Sequence, residues 1–309
     1  MAKHAVVFAP GSIGNVGPGF DVLGLCVGGI GDTVAIELHG GADVIDEVKG
    51  WDAAQIPREV GRNSAAIAAR AFLDAHGEGH ARFRMVIDKG LRLSAGMGGS
   101  AASSVAGALA AARAVDRDAS PIALMTAAMA GEAVVSGTHI DNIAASLLGG
   151  LTIVRTIQPI DVIKVALSGE WWIALVTPED VRIETRAARA LLPETSARAD
   201  WVQQMANTAA LVHALSTGNR DLVRRALDDR FAEPRRASLI PGFAEVKQAA
   251  LANGALGCSI SGSGPTVFAL AGAFGAAQRS ATAMQAAFGG LASTVHVGRV
   301  SDEGARELP

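Results

Sequence analysis

Residues 94–103, Ser-Ala-Gly-Met-Gly-Gly-Ser-Ala-Ala-Ser, combine closely spaced glycines with small residues and run directly into an alanine-rich segment that ends near Val115. The glycines favour a loop, whereas the alanines that follow favour a helix. A glycine loop that enters a helix presents unpaired backbone N–H groups and the positive end of the helix dipole. The stretch therefore predicts a loop that binds an anion such as phosphate, although a tight strand-to-helix turn without a ligand has the same composition.

Two common nucleotide-binding patterns make different demands on this loop. A P-loop requires a lysine directly after its glycines, but no lysine occurs between Lys89 and Lys164. The run Gly96-x-Gly98-x-x-Ala101 satisfies a loose dinucleotide pattern, which leaves an NAD-dependent oxidoreductase as a competing class. That pattern also needs an acidic residue at the end of a second strand about 20 positions later, whereas Asp116 and Asp118 follow the first helix. The P-loop is excluded, and the dinucleotide fold is disfavoured.

Two further glycine-rich segments lie near the ends of the chain. Residues 10–21 read Pro-Gly-Ser-Ile-Gly-Asn-Val-Gly-Pro-Gly-Phe-Asp, and residues 261–266 read Ser-Gly-Ser-Gly-Pro-Thr. The chain contains 36 glycines in 309 residues, well above the average of about 7%. Because these glycines are clustered, the three segments are the places where function is expected.

Hydrophobic periodicity predicts strands and helices in two unequal sets. The predicted strands cover residues 4–9, 32–38, 82–88, 151–156, 162–167, 172–177 and 294–300, with two more beside the third glycine segment. The predicted helices cover residues 63–76, the stretch that ends near 115, 121–135, 197–215, 220–231, 243–252 and 276–288. This order indicates an α+β protein with two domains, residues 1–160 and residues 161–309.

Composition excludes several classes of function. Lys and Arg total 27 against 30 Asp and Glu, with no sustained basic run, so nucleic acid is not an expected partner. The start of the chain does not resemble a signal peptide, and no apolar stretch reaches the length of a membrane span. Cys26 and Cys258 form neither a disulfide framework nor a metal cluster. A cytoplasmic protein with no membrane partner is expected.

The three glycine segments together resemble the GHMP kinases, a family that phosphorylates galactose, homoserine, mevalonate and phosphomevalonate. The similarity covers almost the whole chain, and the three segments occur in the family's order. It implies an N-terminal domain like domain 2 of ribosomal protein S5 and a ferredoxin-like C-terminal domain, with ATP between them. Mg²⁺ as cofactor and a homodimer are implied in the same way.

Within the family, the sequence is most similar to the members that act on homoserine. The similarity rests on Asn15 with Gly19-Phe20-Asp21, on His139-Ile140-Asp141-Asn142, and on Glu233-Pro234-Arg235-Arg236 followed by Leu239-Ile240-Pro241-Gly242. It implies phosphorylation of L-homoserine in threonine biosynthesis. Two alternatives stay open: a GHMP kinase for another small alcohol, and a catalytically silent nucleotide-binding regulator of the same fold.

The resemblance also assigns roles to individual residues of the nucleotide site. The metal ligands it implies are Ser100 and Glu132, because hard oxygen ligands suit Mg²⁺. Asn63 matches a residue near the adenine, and it suits equally the cap of a helix. The residues expected at the nucleotide are Asn63, Ser94, Ala95, Gly96, Met97, Gly98, Gly99, Ser100, Ala101 and Ser103.

A second set of residues matches positions that contact substrate in the family. Homoserine is a zwitterion with a hydroxyl, so it needs an anion, cations and a polar group beside the reacting oxygen. Arginine suits the carboxylate, since its planar fork pairs with it in bidentate fashion, and Arg235 is a competitor for the role of Arg236. The implied substrate-binding residues are Asn15, Asp21, Asp141, Arg189 and Arg236. The implied catalytic residues are Asp141, Asn142 and Thr185, with Asp141 orienting substrate and proton acceptance as an open second role.

Three positions depart from the family's usual pattern. Arg92 stands where a proline is usual before the middle loop, and Gly99 replaces a serine in that loop. In the first segment, Ser12-Ile13-Gly14 replaces the usual pair of serines. Gly99 removes one hydroxyl from the expected phosphate or magnesium shell, while the backbone N–H groups remain.

Overall fold

The computed structural model describes residues 4–135 and 137–309. Met1, Ala2 and Lys3, which belong to the start in which no signal peptide is predicted, lie outside the described residues. The strands are β1 (His4–Gly14), β2 (Leu23–His39), β3 (Val44–Gly50), β4 (Arg82–Lys89), β5 (Leu151–Ile157), β6 (Ile160–Val165), β7 (Trp172–Pro178), β8 (Gly257–Ile260), β9 (Val267–Ala271), β10 (Ser293–Arg299) and β11 (Arg306–Glu307).

The helices lie between groups of these strands along the chain. They are α1 (Ser64–Ala75), α2 (Gly99–Ala114), α3 (Pro121–Ala133), α4 (Asp141–Leu148), α5 (Thr185–Ala190), α6 (Arg198–Thr217), α7 (Arg220–Ala226), α8 (Glu233–Arg236), α9 (Phe243–Ala252) and α10 (Phe274–Ala287). This mixture confirms the predicted α+β class.

The larger sheet has seven strands and is built mainly from the first half of the chain. Its order is β11-β1-β2-β4-β3, and β5 pairs with both β2 and β6. β3 and β4 run parallel, and the other pairs are antiparallel. The hairpin of β5 and β6 crosses the predicted boundary at residue 160, and β11 returns to β1 from the end of the second half. The domain limits stay a prediction.

Helices α1, α2 and α3 pack against one another, and α2 lies against the larger sheet. The sequence of α2 consists almost entirely of Ala, Ser and Gly, which lets its neighbours approach closely. A Cβ added to Gly107 would lie 2.2 Å from the carbonyl oxygen of Ala65 on α1, so only glycine fits at this crossing. This close packing holds the middle of α2 against α1.

The smaller sheet has the order β10-β7-β9-β8 with antiparallel pairs, and α9 and α10 pack on it. Numbered along the chain, its strands are ordered 4-1-3-2, which is the ferredoxin-like arrangement. The predicted ferredoxin-like C-terminal architecture is therefore confirmed.

Several element boundaries differ from the sequence prediction. β1 continues through Pro10 to Gly14 with an irregularity in its pairing, and β2 begins at Leu23, so the predicted strands were too short. The predicted helix over 220–231 was wrong beyond Ala226. The carboxylate of Asp229 accepts hydrogen bonds from the backbone N–H groups of residues 231, 232 and 233. These bonds hold a turn between the end of α7 and the start of α8.

Candidate active site

The three glycine-rich segments meet at one place. The N–H of Ser12 donates to the carbonyl of Met97 at 3.1 Å, which joins the first segment to the second. The hydroxyl of Ser261 donates to the carbonyl of Gly96 at 2.6 Å, which joins the third segment to the second. These hydrogen bonds make the loops one continuous wall.

A cavity of about 450 Å³ opens against this wall. Helices from both halves of the chain contribute to it. The predicted site residues that line it are Asn15, Asp21, Ser94, Ala95, Gly96, Gly98, Gly99, Ser100, Glu132, Asp141, Asn142, Thr185, Arg189 and Arg236.

Four residues predicted at the nucleotide are not among those that line this cavity in the described part of the chain. The carboxamide of Asn63 accepts the first N–H groups of α1 and so caps that helix. Met97 and Ala101 are buried, and Ser103 donates its hydroxyl proton to Asp32 at 2.7 Å. Their contact with a nucleotide stays a prediction.

The middle loop ends at the N-terminus of α2. Gly98 precedes the helix with a φ of +66°, and the first intrahelical bond runs from the N–H of Ala102 to the carbonyl of Gly98 at 2.8 Å. The N–H groups of Gly99, Ser100 and Ala101 therefore have no acceptor within the helix. These donors and the helix dipole favour an anion at the mouth of the helix.

Glu132 lies beside this loop on α3. Its side chain is buried, and its Oε1 accepts a hydrogen bond from the hydroxyl of Ser100 at 3.0 Å. The described residues contain no group of three or more His, Cys, Asp or Glu side chains that would hold a metal alone. Mg²⁺ does not need one, because it is usually bound by one or two carboxylates together with substrate phosphates. The hard oxygen atoms of Glu132 and Ser100 beside an anion-binding loop fit Mg²⁺.

Asp21 and Arg189 form a bidentate ion pair in the cavity. The two N–O distances are 2.9 and 2.7 Å. The side chain of Asn15 holds the backbone of Asp21 by accepting its N–H at 3.1 Å. Nδ1 of His139 lies 3.3 Å from Nη2 of Arg189, and burial lowers the pKa of His139. The imidazole is therefore mainly neutral at pH 7, next to the ion pair.

Arg236 is the second arginine of the cavity and is only 3% exposed. In the described structure its hydrogen bonds run to the carbonyl oxygens of Ala188 at 3.3 Å and Gly262 at 3.0 Å. Its guanidinium carbon lies 5.4 Å from the centre of the Phe20 ring. Burial lowers the pKa of Arg236, and the nearby charge of Arg189 acts in the same direction. A buried guanidinium held by carbonyl groups is well placed to bind a carboxylate.

Asp141 and Asn142 begin α4 at the base of the cavity. The Asp141 carboxylate is 3% exposed and accepts the N–H of Asn15 at 3.3 Å. Burial, together with the nearby charge of Asp21, raises the pKa of Asp141 to about 7, although two backbone N–H groups act in the opposite direction. The carboxamide oxygen of Asn142 accepts the hydroxyl proton of Ser12 at 2.9 Å. The site thus contains a carboxyl group that changes its charge near neutral pH.

Other cavity residues were not assigned from the sequence. Phe20 supports both arginines, since the Arg189 guanidinium carbon lies 5.1 Å from its ring centre. Ser263 brings its hydroxyl within 3.4 Å of the Thr185 hydroxyl. Phe20 and Ser263 belong to the first and third glycine segments, so the glycine motifs around them indicated that both lie near the site. Arg92, which replaces a proline of the family pattern, also lines the cavity.

Comparison with protein families and curated proteins gives consistent matches. Residues 63–150 match the GHMP kinases N terminal domain, and residues 211–290 match the GHMP kinases C terminal domain. The chain is 43% identical over 291 residues to homoserine kinase of Xanthomonas campestris pv. campestris (strain B100), covering 94% of this chain and 88% of that one. It is 41% identical to homoserine kinase of Xylella fastidiosa (strain M12), covering 99% and 95%.

Solved structures agree with these matches. The crystal structure of homoserine kinase from Cytophaga hutchinsonii superposes with a TM-score of 0.94 at 36% identity, covering 100% of this chain and 98% of that chain. A mevalonate kinase from L. major has a TM-score of 0.75 at 16% identity, covering 96% of each chain, and shows a likeness of fold alone.

Proposed function

Because this chain belongs to the GHMP kinase family, we infer that it is an ATP-dependent kinase whose substrate is L-homoserine. It transfers the γ-phosphoryl group of ATP to the side-chain hydroxyl, which yields ADP and O-phospho-L-homoserine for threonine biosynthesis. One observation carries this conclusion: a single cavity joins a glycine-rich helix N-terminus to Asp21, Arg189 and Arg236. The helix N-terminus suits a polyphosphate, and the three charged groups suit an amino acid zwitterion.

The proposed homoserine site uses these charges in complementary pairs. The Asp21 carboxylate receives the ammonium group, with Asn15 fixing the backbone of Asp21. Arg189 and Arg236 receive the carboxylate, and Phe20 holds both guanidinium groups in place. The hydroxyl end then points to Asp141, Asn142 and Thr185.

The proposed nucleotide site places the ATP phosphates on the loop from Ser94 to Ser100 and on the first turn of α2. Glu132 and Ser100 are the residues that would hold Mg²⁺ beside the nucleotide phosphates. When bound, Mg²⁺ neutralises negative charge on the phosphates. The N–H groups of the α2 first turn act on the same charge from the protein side.

The proposed chemistry depends mainly on positioning and charge neutralisation. The homoserine oxygen forms a bond to the γ-phosphorus as the bond to the β-phosphate oxygen breaks. Asp141 orients the hydroxyl, and Asn142 lies beside the transferred group. The raised pKa of Asp141, about 7, also makes its carboxylate a competent acceptor for the hydroxyl proton.

The pH dependence of the reaction follows from this pKa. Burial favours the protonated form of Asp141, whose pKa is about 7, so the carboxyl group is mostly protonated below that pH and mostly ionised above it. We expect kcat/KM for homoserine to fall as pH drops below about 7 and to reach a plateau above it. In Asp141→Asn we expect a rate about 100-fold lower and no inflection in this range. An inflection that persists in the variant would assign it to another group.

The tight packing of the middle loop gives a second prediction. A Cβ at Gly98 would lie 2.3 Å from the hydroxyl of Ser12 and 3.0 Å from Oδ1 of Asn142, at a φ of +66°. We expect Gly98→Ala to weaken ATP binding by about 10- to 100-fold, because loop strain of this kind costs about 1 to 3 kcal/mol. Titration calorimetry with ATP measures it. The matched control is Gly61→Ala, since a Cβ there meets nothing within 4 Å; equal affinities in the two variants would contradict the proposed loop.

The deciding experiment for the function is a coupled ADP-release assay with ATP, Mg²⁺ and a panel of homoserine, serine, threonine, mevalonate and galactose. Turnover confined to homoserine supports the proposal. Turnover with a different alcohol keeps the kinase but overturns the proposed zwitterion site. Measurable ATP binding without any turnover indicates a nucleotide-binding regulator.

We also propose a homodimer in the cytoplasm. Exposed apolar side chains on α6, Trp201, Val202 and Met205, support an interaction surface, and both cysteines are buried free thiols, as suits a reducing compartment. Across the described residues, every helix is too short or too polar to cross a bilayer. Light scattering coupled to gel filtration measures the mass in solution, and a monomeric mass rejects the dimer.

A further inference from the structure

A buried charged network lies behind the middle loop. Lys89 at the end of β4 is 4% exposed, and Asp32 in β2 is fully buried. The ammonium group of Lys89 contacts the Asp32 carboxylate and donates to the hydroxyl oxygen of Ser103 at 2.8 Å. Oδ1 of Asp32 also accepts the N–H groups of Gly90 and Leu91, each at 3.1 Å. The network therefore joins two central strands to the first turns of α2.

One bond of this network reaches the peptide group that faces the cavity. Nζ of Lys89 donates to the carbonyl oxygen of Gly99 at 3.1 Å. A peptide group is planar and trans, so the N–H of Ser100 points away from the carbonyl of Gly99. The carbonyl belongs to the first residue of α2, which already directs it along the helix axis. The contact with Lys89 adds a charged donor from behind and helps to fix the direction of the Ser100 N–H. The bond to a charged donor also polarises the peptide and strengthens its N–H as a donor.

We propose that Lys89 is a positioning residue for ATP: through the carbonyl of Gly99 it aims the N–H of Ser100 at the nucleotide phosphates. The proposal rests on the nucleotide site described under Proposed function. Asp32 balances the buried charge of Lys89, and Ser103 acts within this network, which gives its hydroxyl a role without contact with the nucleotide. Lys89 thus reaches the loop from the end of β4. It contacts the carbonyl side of the peptide groups, whereas the proposed phosphate site lies on their N–H side.

Two variants separate an effect on ATP binding from an effect on the stability of the fold. Lys89→Met removes the donor to Gly99 and leaves the Asp32 carboxylate buried without its cation, so we expect a lower Tm and about tenfold weaker ATP binding. Asp32→Asn/Lys89→Met removes both charges together. We expect the double variant to recover most of the lost Tm, because no unpaired buried charge remains, but to keep the weak ATP binding.

The matched control is Arg70→Met. Arg70 lies on α1, and its Nε is 3.1 Å from Oδ2 of Asp43 in a half-buried ion pair that the substitution removes. We expect it to lower Tm without changing the dissociation constant for ATP. Calorimetry with ATP alone gives this constant without any turnover, so a failure of the homoserine assay would not affect the result. Wild-type ATP affinity in the double variant, or an equal loss in Arg70→Met, would overturn the proposal. If Lys89→Met does not fold, the double variant and Arg70→Met decide the question alone.

Discussion

Replacing Arg236 by methionine is expected to raise the KM for homoserine by about 100-fold, since removing one member of a buried charged contact costs about 2 to 5 kcal/mol. Arg236 is 3% exposed and is held by two carbonyl groups, so water cannot replace it easily as a partner for a carboxylate. Methionine keeps much of the buried volume. The KM for ATP should stay within about twofold of the wild-type value, because the proposed phosphate site lies elsewhere in the cavity.

Two controls make the Arg236 prediction specific. Arg235→Met removes the neighbouring arginine, whose guanidinium donates to the carbonyl of Phe231 at 2.6 Å, and it should leave the KM for homoserine unchanged. The second control is 3-aminopropan-1-ol, which is homoserine without its carboxylate. Wild type and Arg236→Met should use this alcohol equally poorly. A larger effect of Arg235→Met than of Arg236→Met would reverse the assignment of the carboxylate site.

Replacing Glu132 by glutamine is expected to lower kcat by about 1000-fold and to weaken the apparent affinity for Mg²⁺, because a bound metal stabilises transition-state charge by several kcal/mol. The side chain is buried and contacts Ser100 beside the loop, so glutamine preserves shape while removing charge. Rates measured over a range of Mg²⁺ concentrations at fixed ATP test this. ATP binding in EDTA reports whether the loop itself is intact.

The cavity supplies a matched control for this charge change. Glu184 lines the same cavity but is exposed, and no role is proposed for it. Glu184→Gln should keep the wild-type dependence on Mg²⁺. An unchanged Mg²⁺ dependence in Glu132→Gln would remove Glu132 from the metal site, whatever its effect on the rate.

Local features of the fold were predictable because their physics is local. Asn63 accepts the first N–H groups of α1, and Ser120 caps α3 directly before Pro121, as cap chemistry indicates. The sequence prediction missed strand β3, which pairs in parallel with β4. Parallel pairing depends on partners that are distant in sequence, and the charged sequence of this strand, Val-Ile-Asp-Glu-Val-Lys-Gly, gives a weak alternating signal.

In the candidate site, too, the local motifs were predictable and the contacts between distant residues were not. Glycine spacing and family resemblance identified the three loops, which the structure brings together. The Asp21–Arg189 ion pair joins residues 168 positions apart, and no local pattern indicates it. The burial of Arg236 likewise depends on how α8 packs, so sequence alone could not separate it from the neighbouring Arg235. The charge partner of Lys89 lies on another strand and was equally hidden.

The ion pair of Asp21 and Arg189 has a consequence for selectivity. Asp21 and Arg189, two of the three proposed charged receptors, already neutralise each other, so the proposed binding of homoserine exchanges one ion pair for two new ones. A ligand with a single charge would leave one member of the pair without a counterion in a partly dehydrated cavity, at a cost in free energy. Because a zwitterion has no net charge and the exchange conserves charge, homoserine binding should depend little on ionic strength. On this proposal, the cavity selects a ligand that carries two opposite charges a fixed distance apart.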